Sequence, residues 1–390
     1  MARKKSLLKL LAVLLKLTFA FIHFFLPGIV ERSMNVTTAH KPYNISSTAQ
    51  ALHDTLFVAD LHTDSLLWKR DLLRQSTTGH LDIPRLQKGN VGLQVFSATT
   101  KSPSGLNYAS NTASSDDITK LAVLSLWPPR TWNSLYERAS FQLEKLDQFA
   151  DESGDELFIL RTRDDFQNLL QRREAGSNVV GGLFLIEGGH PFEGRLENVD
   201  RLFDQGLRIA GLTHFFDNEL GGSLHGVSGE GLSDFGRQVI KRANEIGLII
   251  DVAHSSPAMV EDVLALTTRP VILSHGGIKG ACDTNRNLPD ALMQKIAEQG
   301  GILGVGFWDG AVCDHSPQGV VRTIRYAIDL LGMKHVALGS DFDGTVETSF
   351  DSSELAILTQ VMLDEGFSEQ EIKAVMGDNV KRFLLEQLPE

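Results

Sequence analysis

Six short segments of this 390-residue chain set imidazole and carboxylate side chains directly after runs of apolar residues. They are Asp60-Leu61-His62-Thr63-Asp64, Glu187-Gly188-Gly189-His190, Thr213-His214, Asp251-Val252-Ala253-His254, Ser274-His275 and Ser340-Asp341-Phe342-Asp343. Any one of them has an ordinary explanation, because a His after a strand is commonly a hydrogen-bonded structural residue and an Asp there a helix cap. Six together need another. Ionisable groups gathered at the ends of apolar strands cost desolvation unless something offsets their charge, and bound cations do so. Imidazole with carboxylate and no Cys suits hydrolytic Zn²⁺, with Mn²⁺, Co²⁺ or Fe²⁺ admitted by the same ligand chemistry. His62 and Asp64, two apart on an extended segment, can turn toward one cation, and a Glu carboxylate can bridge two. Two cations about 3.5–4 Å apart hold and acidify one water, which is hydrolase chemistry. His335 opens its strand at the far end, and His23, His40, His53 and His80 lie away from the strand ends, so these five are set apart from the site.

Residues more than two hundred positions apart can share a site only if the fold brings their strand ends together. Eight runs rich in Val, Ile, Leu and Phe read as strands of a parallel sheet, buried on both faces: Thr55–Asp60, Val91–Ser97, Val180–Ile186, Leu207–Leu212, Leu248–Val252, Pro270–Leu273, Ile302–Gly306 and His335–Gly339. Helical patterns fill most gaps, as in Leu232–Ile246, Ser256–Leu266, Leu292–Gln299 and Gly319–Leu331, and a last helix is expected over Ser368–Leu385. Eight alternating units predict an α/β fold of the (β/α)8 TIM-like barrel type, whose strand ends all face one mouth; an open doubly wound sheet is the alternative. The loop Lys101–Ser115 and the helices that follow it to Ala150 form an insertion expected to cover that mouth.

The first thirty residues differ from the rest. Arg3, Lys4, Lys5 and Lys9 precede an apolar run from Leu10 to Val30, about the ~20 residues of a transmembrane helix. The basic flank predicts a cytoplasmic N-terminus and an extracytoplasmic remainder, periplasmic or extracellular. No convincing small-x-small cleavage site follows, which favours an uncleaved signal anchor over a removed signal peptide; a helix lying on the membrane surface is the third reading. The expected organisation is a membrane anchor over 1–30, a polar linker over 31–50 and a catalytic domain over 51–390. With a net charge of -12, a nucleic-acid partner is not expected. Cys282 and Cys313, the only cysteines, read as two buried thiols or as one disulfide of an exported protein.

These segments, with Asp82-Ile83-Pro84-Arg85-Leu86, Gln94-Val95-Phe96-Ser97 and Asn285-Arg286-Asn287-Leu288-Pro289-Asp290, occur in an order that resembles the membrane (renal-type) dipeptidase family of zinc peptidases, from about Asp54 to Phe383. The resemblance implies hydrolysis of free dipeptides, including those with a C-terminal D-residue, by a bridging hydroxide on two Zn²⁺. It implies His62 and Asp64 on the first zinc, Glu187 bridging both, and His254 and His275 on the second. Asp341 would be the proton shuttle, with Asp343 structural. His214, which the family does not use as a ligand, would hydrogen-bond the oxyanion, and Arg286 would pair with the substrate carboxylate, a bidentate task suited to guanidinium. It also implies a disulfide between Cys282 and Cys313. Two features depart from the family: Phe307-Trp308-Asp309-Gly310-Ala311-Val312 lacks a tyrosine that relatives can place near the substrate carboxylate, and an N-terminal tether replaces the C-terminal lipid anchor of animal members. Expected partners are a dipeptide, the lipid bilayer through the N-terminal helix and, left open, a second copy in a homodimer. The competing functions are a binuclear amidohydrolase acting on N-acyl amino acids or cyclic amides, and a non-catalytic membrane-anchored binding protein. Many such amidohydrolases bridge their metals with a carbamylated Lys, where this chain offers Glu187.

Overall fold

A computed structural model describes residues 2–390, with side chains from Lys4 onward, so the side chain of Arg3 in the basic flank lies outside the described residues. Eight parallel strands close into a barrel: β1 (Val58–Thr63), β2 (Val91–Thr99), β3 (Val180–Glu187), β4 (Leu207–Gly211), β5 (Ile249–Asp251), β6 (Ile272–Gly276), β7 (Ile302–Val305) and β8 (Val336–Leu338). Each pairs with the next, and β8 returns to β1 through Leu338 opposite Asp60. The open-sheet alternative is thereby excluded. All eight are the apolar runs read from the sequence. The first and sixth are displaced: Thr55–Phe57 and Pro270–Val271 lie outside the strands, which continue instead through Leu61–Thr63 and Ser274–Gly276, and Ser340 and Gln94 satisfy Asp60 inside the barrel.

The helices pack outside, where their apolar stripes meet the buried strands. Asp234–Ile246 is typical: the Ser233 side chain accepts the Gly236 N–H at its start, Val239, Ile240 and Ala243 face the core, and Gly247, at φ 80°, ends it. The C-terminal helix is not the single rod expected. Glu369–Lys373 and Asn379–Gln387 are joined by a wider turn over Ala374–Asp378. There Gly377 lies against the Phe57 carbonyl, which a Cβ would approach to 1.7 Å, so only glycine allows this approach. A three-residue strand, Leu157–Ile159, extends β3 alongside Val180–Gly182 and had no clear sequence signal.

The insertion after β2 runs as an irregular loop to Asp116, then as helices Asp117–Leu124 and Leu135–Glu152. Buried Arg138 holds it together, donating to the Thr131 and Thr100 carbonyls and, at 2.6 Å, to the Asp116 carboxylate. Residues 2–34 form one helical run with a wide turn at Phe21–Phe25, a candidate membrane span by length and composition. Pro27 does not end it. Proline removes the hydrogen bond to the His23 carbonyl four residues earlier, and Lys69 of the barrel supplies a replacement donor at 2.8 Å. Residues 35–46 lead from this helix to a short one over Ser47–His53, and both the helix end and this stretch pack against the barrel: Glu31 pairs with Arg70 at 2.6 Å, and Val36–Thr37 pair in parallel with Glu347–Thr348.

Candidate metal centre

The C-terminal ends of the strands deliver the predicted metal ligands, with His214 and Asp341, to one mouth. β1 carries His62 and leads into Asp64, β3 ends on Glu187, β6 carries His275, and the segments just after β4, β5 and β8 carry His214, His254 and Asp341. Their donor atoms fall into three overlapping groups, each within 4.8 Å: His62, Glu187 and His275; Glu187, His214 and His254; and His62, Asp64 and Asp341. All are buried. Glu187 is the hub. Its Oε1 lies 3.2 Å from His254 Nε2, 3.4 Å from His275 Nε2 and 3.7 Å from His62 Nε2, and its Oε2 lies 3.3 Å from His214 Nε2. His214 thus stands among the donors themselves, grouped with Glu187 and His254.

The donor set fits divalent cations. His62 Nε2 is buried with no hydrogen-bond partner, and the Nε2 atoms of His254 and His275 stand 3.0 Å apart. Ser274 explains part of the orientation. Its hydroxyl donates to Asp251 at 2.6 Å and lies 2.9 Å from His275 Nδ1, an arrangement that places the proton on Nδ1 and turns the Nε2 lone pair to the cluster. Thr99, opposite Glu187 in the β2–β3 register, lies 2.9 Å from both Asp64 and Glu187, yet has one proton for two carboxylates. Burial alone would push the His62 imidazole down, but Asp64, Glu187 and Asp341 outweigh it and raise its pKa to about 10. Burial, reinforced by the Asp64 and Glu187 charges, holds the Asp341 carboxyl well above the usual range. This is a pocket short of positive charge.

The backbone departs from ordinary geometry here. His254 and Asp341 take left-handed φ of 61° and 62°, which costs about 1–2 kcal/mol at a non-glycine residue and persists where contacts enforce it. Thr213 and the Leu224 N–H both donate to the His254 carbonyl, at 2.9 and 2.7 Å.

Arg286, on the loop after β6, is buried with its Nε unpaired and lies over the Trp308 ring at 5.5 Å. The disulfide Cys282–Cys313 is formed and joins this loop to the one after β7. The insertion, as expected, reaches over the mouth. It brings in Tyr108, whose hydroxyl accepts from Trp308 Nε1 at 2.8 Å and lines the same cavity as Arg286, Glu187 and Asp341. Sequence reading missed Tyr108, which sits in a Ser/Asn-rich loop without periodicity. Thr99 was legible in principle, since it ends a strand level with Glu187. The cavity, about 70 Å³, opens past Leu106, His214 and Phe215 into a vestibule of about 720 Å³. Apolar residues of the insertion line that vestibule, joined by Val30 and Met34 of the N-terminal helix.

Asp343 takes no part in the cavity lining. It pairs with Arg70, and its Oδ1 accepts the His80 N–H at 2.6 Å while its own N–H donates to His80 Nδ1 at 3.0 Å. Burial, chiefly, lowers the His80 pKa to about 4, against ~6.5 unfolded. Between those values the unfolded chain binds the proton and the folded chain does not, so the contribution is full above pH ~6.5 and is lost as pH falls toward 4. Thermal melts at constant metal loading should show stability declining over that window, with His80 supplying on the order of 3 kcal/mol. His80→Asn keeps an acceptor for the Asp343 N–H and should flatten the decline; an unchanged slope would remove His80 from the account.

Comparison with known proteins follows this geometry. The sequence profile of the family described as "Membrane dipeptidase (Peptidase family M19)" matches residues 46–388. Dipeptidase verJ of Clonostachys rogersoniana is 28% identical over 323 residues, covering 80% of this chain and 76% of its own length. Two crystal structures share the fold. The probable dipeptidase PvdM from Pseudomonas aeruginosa matches with a TM-score of 0.73 at 19% identity, over 87% of this chain and 97% of that one. A metallopeptidase from Rhodobacter sphaeroides, liganded with a phosphinate mimic of the dipeptide L-Ala-D-Ala, matches at 0.68 and 23%, over 86% and 99%.

Proposed function

The chain belongs to the membrane dipeptidase family, peptidase family M19, and is a dipeptidase of that metallopeptidase family; from this premise we propose that it hydrolyses free dipeptides at a binuclear zinc centre. The observation that carries the reading is the Glu187 hub, one carboxylate facing four imidazoles at 3.2–3.7 Å. His62 and Asp64 would hold one cation, His254 and His275 the other, and Glu187 both. Bound there, the pair of cations would acidify water and polarise the scissile carbonyl.

The chain's own groups do the rest. Arg286 pairs with the free carboxylate of the substrate, and Tyr108, on the same wall, adds a hydroxyl beside it. His214 donates to the carbonyl oxygen as negative charge builds there. Asp341 takes the proton of the attacking water and passes it to the leaving amine, completing cleavage of the C–N bond. A carboxylate anchor against a wall selects short substrates, because longer peptides would have to run through that wall. A dipeptide ending in a D-residue presents the same carboxylate to Arg286, and the L-Ala-D-Ala mimic bound by the Rhodobacter metallopeptidase supports including such substrates.

In the same reading residues 1–30 anchor the chain in the membrane, 31–50 connect, and 51–390 form the catalytic domain. The basic flank supports a cytoplasmic N-terminus with the barrel outside, and the disulfide fits an oxidising compartment. The test is hydrolysis of L-L, L-D and N-acetylated dipeptides by the purified full chain, with metal content measured on the same sample and protease access in sealed cells for orientation. Chelator-sensitive cleavage of free dipeptides with about two metals per chain is expected. Cleavage of blocked or cyclic amides alone would replace the reading with an amidohydrolase, and no metal with no cleavage would overturn the site.

A further inference from the structure

Asp341, the proposed proton carrier, stands on a loop whose geometry is hard to hold. Asp341, Asp343 and Thr345 take left-handed φ of 62°, 64° and 62°, three non-glycine residues in alternation. Such a run persists only where surrounding contacts over-determine it. The barrel supplies the first half of those contacts: the Asp64 N–H and the Thr63 hydroxyl donate to the Phe342 carbonyl at 3.0 and 2.7 Å, and Trp68 Nε1 donates to the Asp343 carbonyl at 2.8 Å.

The second half comes from the end of the N-terminal helix. Asn35 Oδ1 accepts the Thr345 N–H at 2.8 Å. The Val36 and Thr38 N–H groups donate to the Val346 and Thr348 carbonyls at 3.1 and 2.8 Å, forming the short parallel pair that fixes the register of the loop. Glu31, buried at 3% exposure, grips Arg70, which reaches on to the Asp343 carboxylate. Burying a carboxylate and an amide at a helix exit is costly unless their partners need them there, and both connect to one loop.

We propose that the segment Glu31–Thr38 is a working part of the active site, with Glu31 and Asn35 as positioning residues that set the loop carrying Asp341. This rests on the dipeptidase reading. The tether is then an element of catalysis, in addition to any role in holding the enzyme at a membrane.

The experiment compares the zinc-loaded full chain in detergent with Asn35→Ala, Asn35→Asp, Glu31→Gln and Tyr43→Phe. It measures kcat and KM on a dipeptide, bound zinc, and hydrogen exchange of a peptide spanning 341–349. Asn35→Ala should lower kcat about fivefold to tenfold, the scale of one hydrogen bond, with KM and zinc content within about twofold and exchange accelerated. Asn35→Asp retains the acceptor for Thr345 and should restore both readouts. Glu31→Gln should act in the same direction as Asn35→Ala. Tyr43→Phe, which loses only a bond to the Ser349 carbonyl, should match wild type. Unchanged exchange in Asn35→Ala would overturn the proposal even without activity data, as would accelerated exchange with unchanged kcat. A wild-type chain that binds zinc and cleaves no dipeptide would overturn the dipeptidase reading instead, and this proposal with it.

Discussion

Glu187→Gln should lower dipeptide hydrolysis by about a thousandfold or more and, at the proposed binuclear centre, reduce bound metal from about two per chain to one or none. The substitution keeps volume and an oxygen for Thr99, which stands 2.9 Å away, while removing the charge and one acceptor oxygen. It replaces the one acceptor that faces His62, His254, His275 and His214 together with a neutral amide whose NH₂ has no lone pair to offer a cation. Residues that only support a ligand typically contribute about 10–100-fold, and a group shared by both proposed cation positions should exceed that. Metal analysis of dialysed protein, alongside kinetics, decides the matter. Two metals retained with near-normal kcat would refute the hub assignment.

Asp341→Asn should produce the opposite split: metal content near wild type, KM within a few fold, and kcat down by about 10²–10⁴, the range of general acid–base catalysis. Asp341 Oδ1 stands 3.8 Å from His62 Nε2, beside the cluster, and burial with two neighbouring carboxylates raises its pKa. A carboxyl so placed can exchange its proton closer to neutrality than an ordinary Asp. The pH–rate profile of the variant should lose the limb that this group supplies. A kcat loss below tenfold, or loss of metal, would return Asp341 to a structural or ligand role and reopen the identity of the proton carrier.

The part of this architecture legible in the sequence is the part governed by local pattern. Strands buried on both faces are mostly apolar, so β2 through β8 declare themselves, and polar residues at their ends stand out against that background. Where contacts between distant residues decide the structure, the sequence is silent. Glu31, Asn35 and the polar stretch after them read as solvated because their partners Arg70 and Thr345 lie far along the chain. The kink at Gly377 comes from the Phe57 carbonyl, and the helix passes Pro27 because Lys69 reaches His23. The orienting work of Asp251 and Ser274 was visible as composition but not as direction, since which way an imidazole turns depends on a neighbour across the barrel. Tyr108 had no signal, because a loop residue over the mouth is placed by the shape of what lies beneath it.

The Cys282–Cys313 link bears on how such a site can diversify. It ties the loop of Arg286 to that of Trp308, aided by Asn287, whose amide donates to the Cys282 and Ala311 carbonyls at 2.9 and 2.8 Å. The wall proposed to face the substrate's terminus is thus fastened to itself and, through the Arg286 bond to the His275 carbonyl at 2.6 Å, to the end of β6, whereas the imidazoles and Glu187 are fastened to strands or their immediate ends. Drift at Arg286 would therefore reach the imidazoles, while the loop positions around it that touch no donor can change without disturbing them. A lineage carrying this barrel can change what it eats while keeping the teeth it eats with.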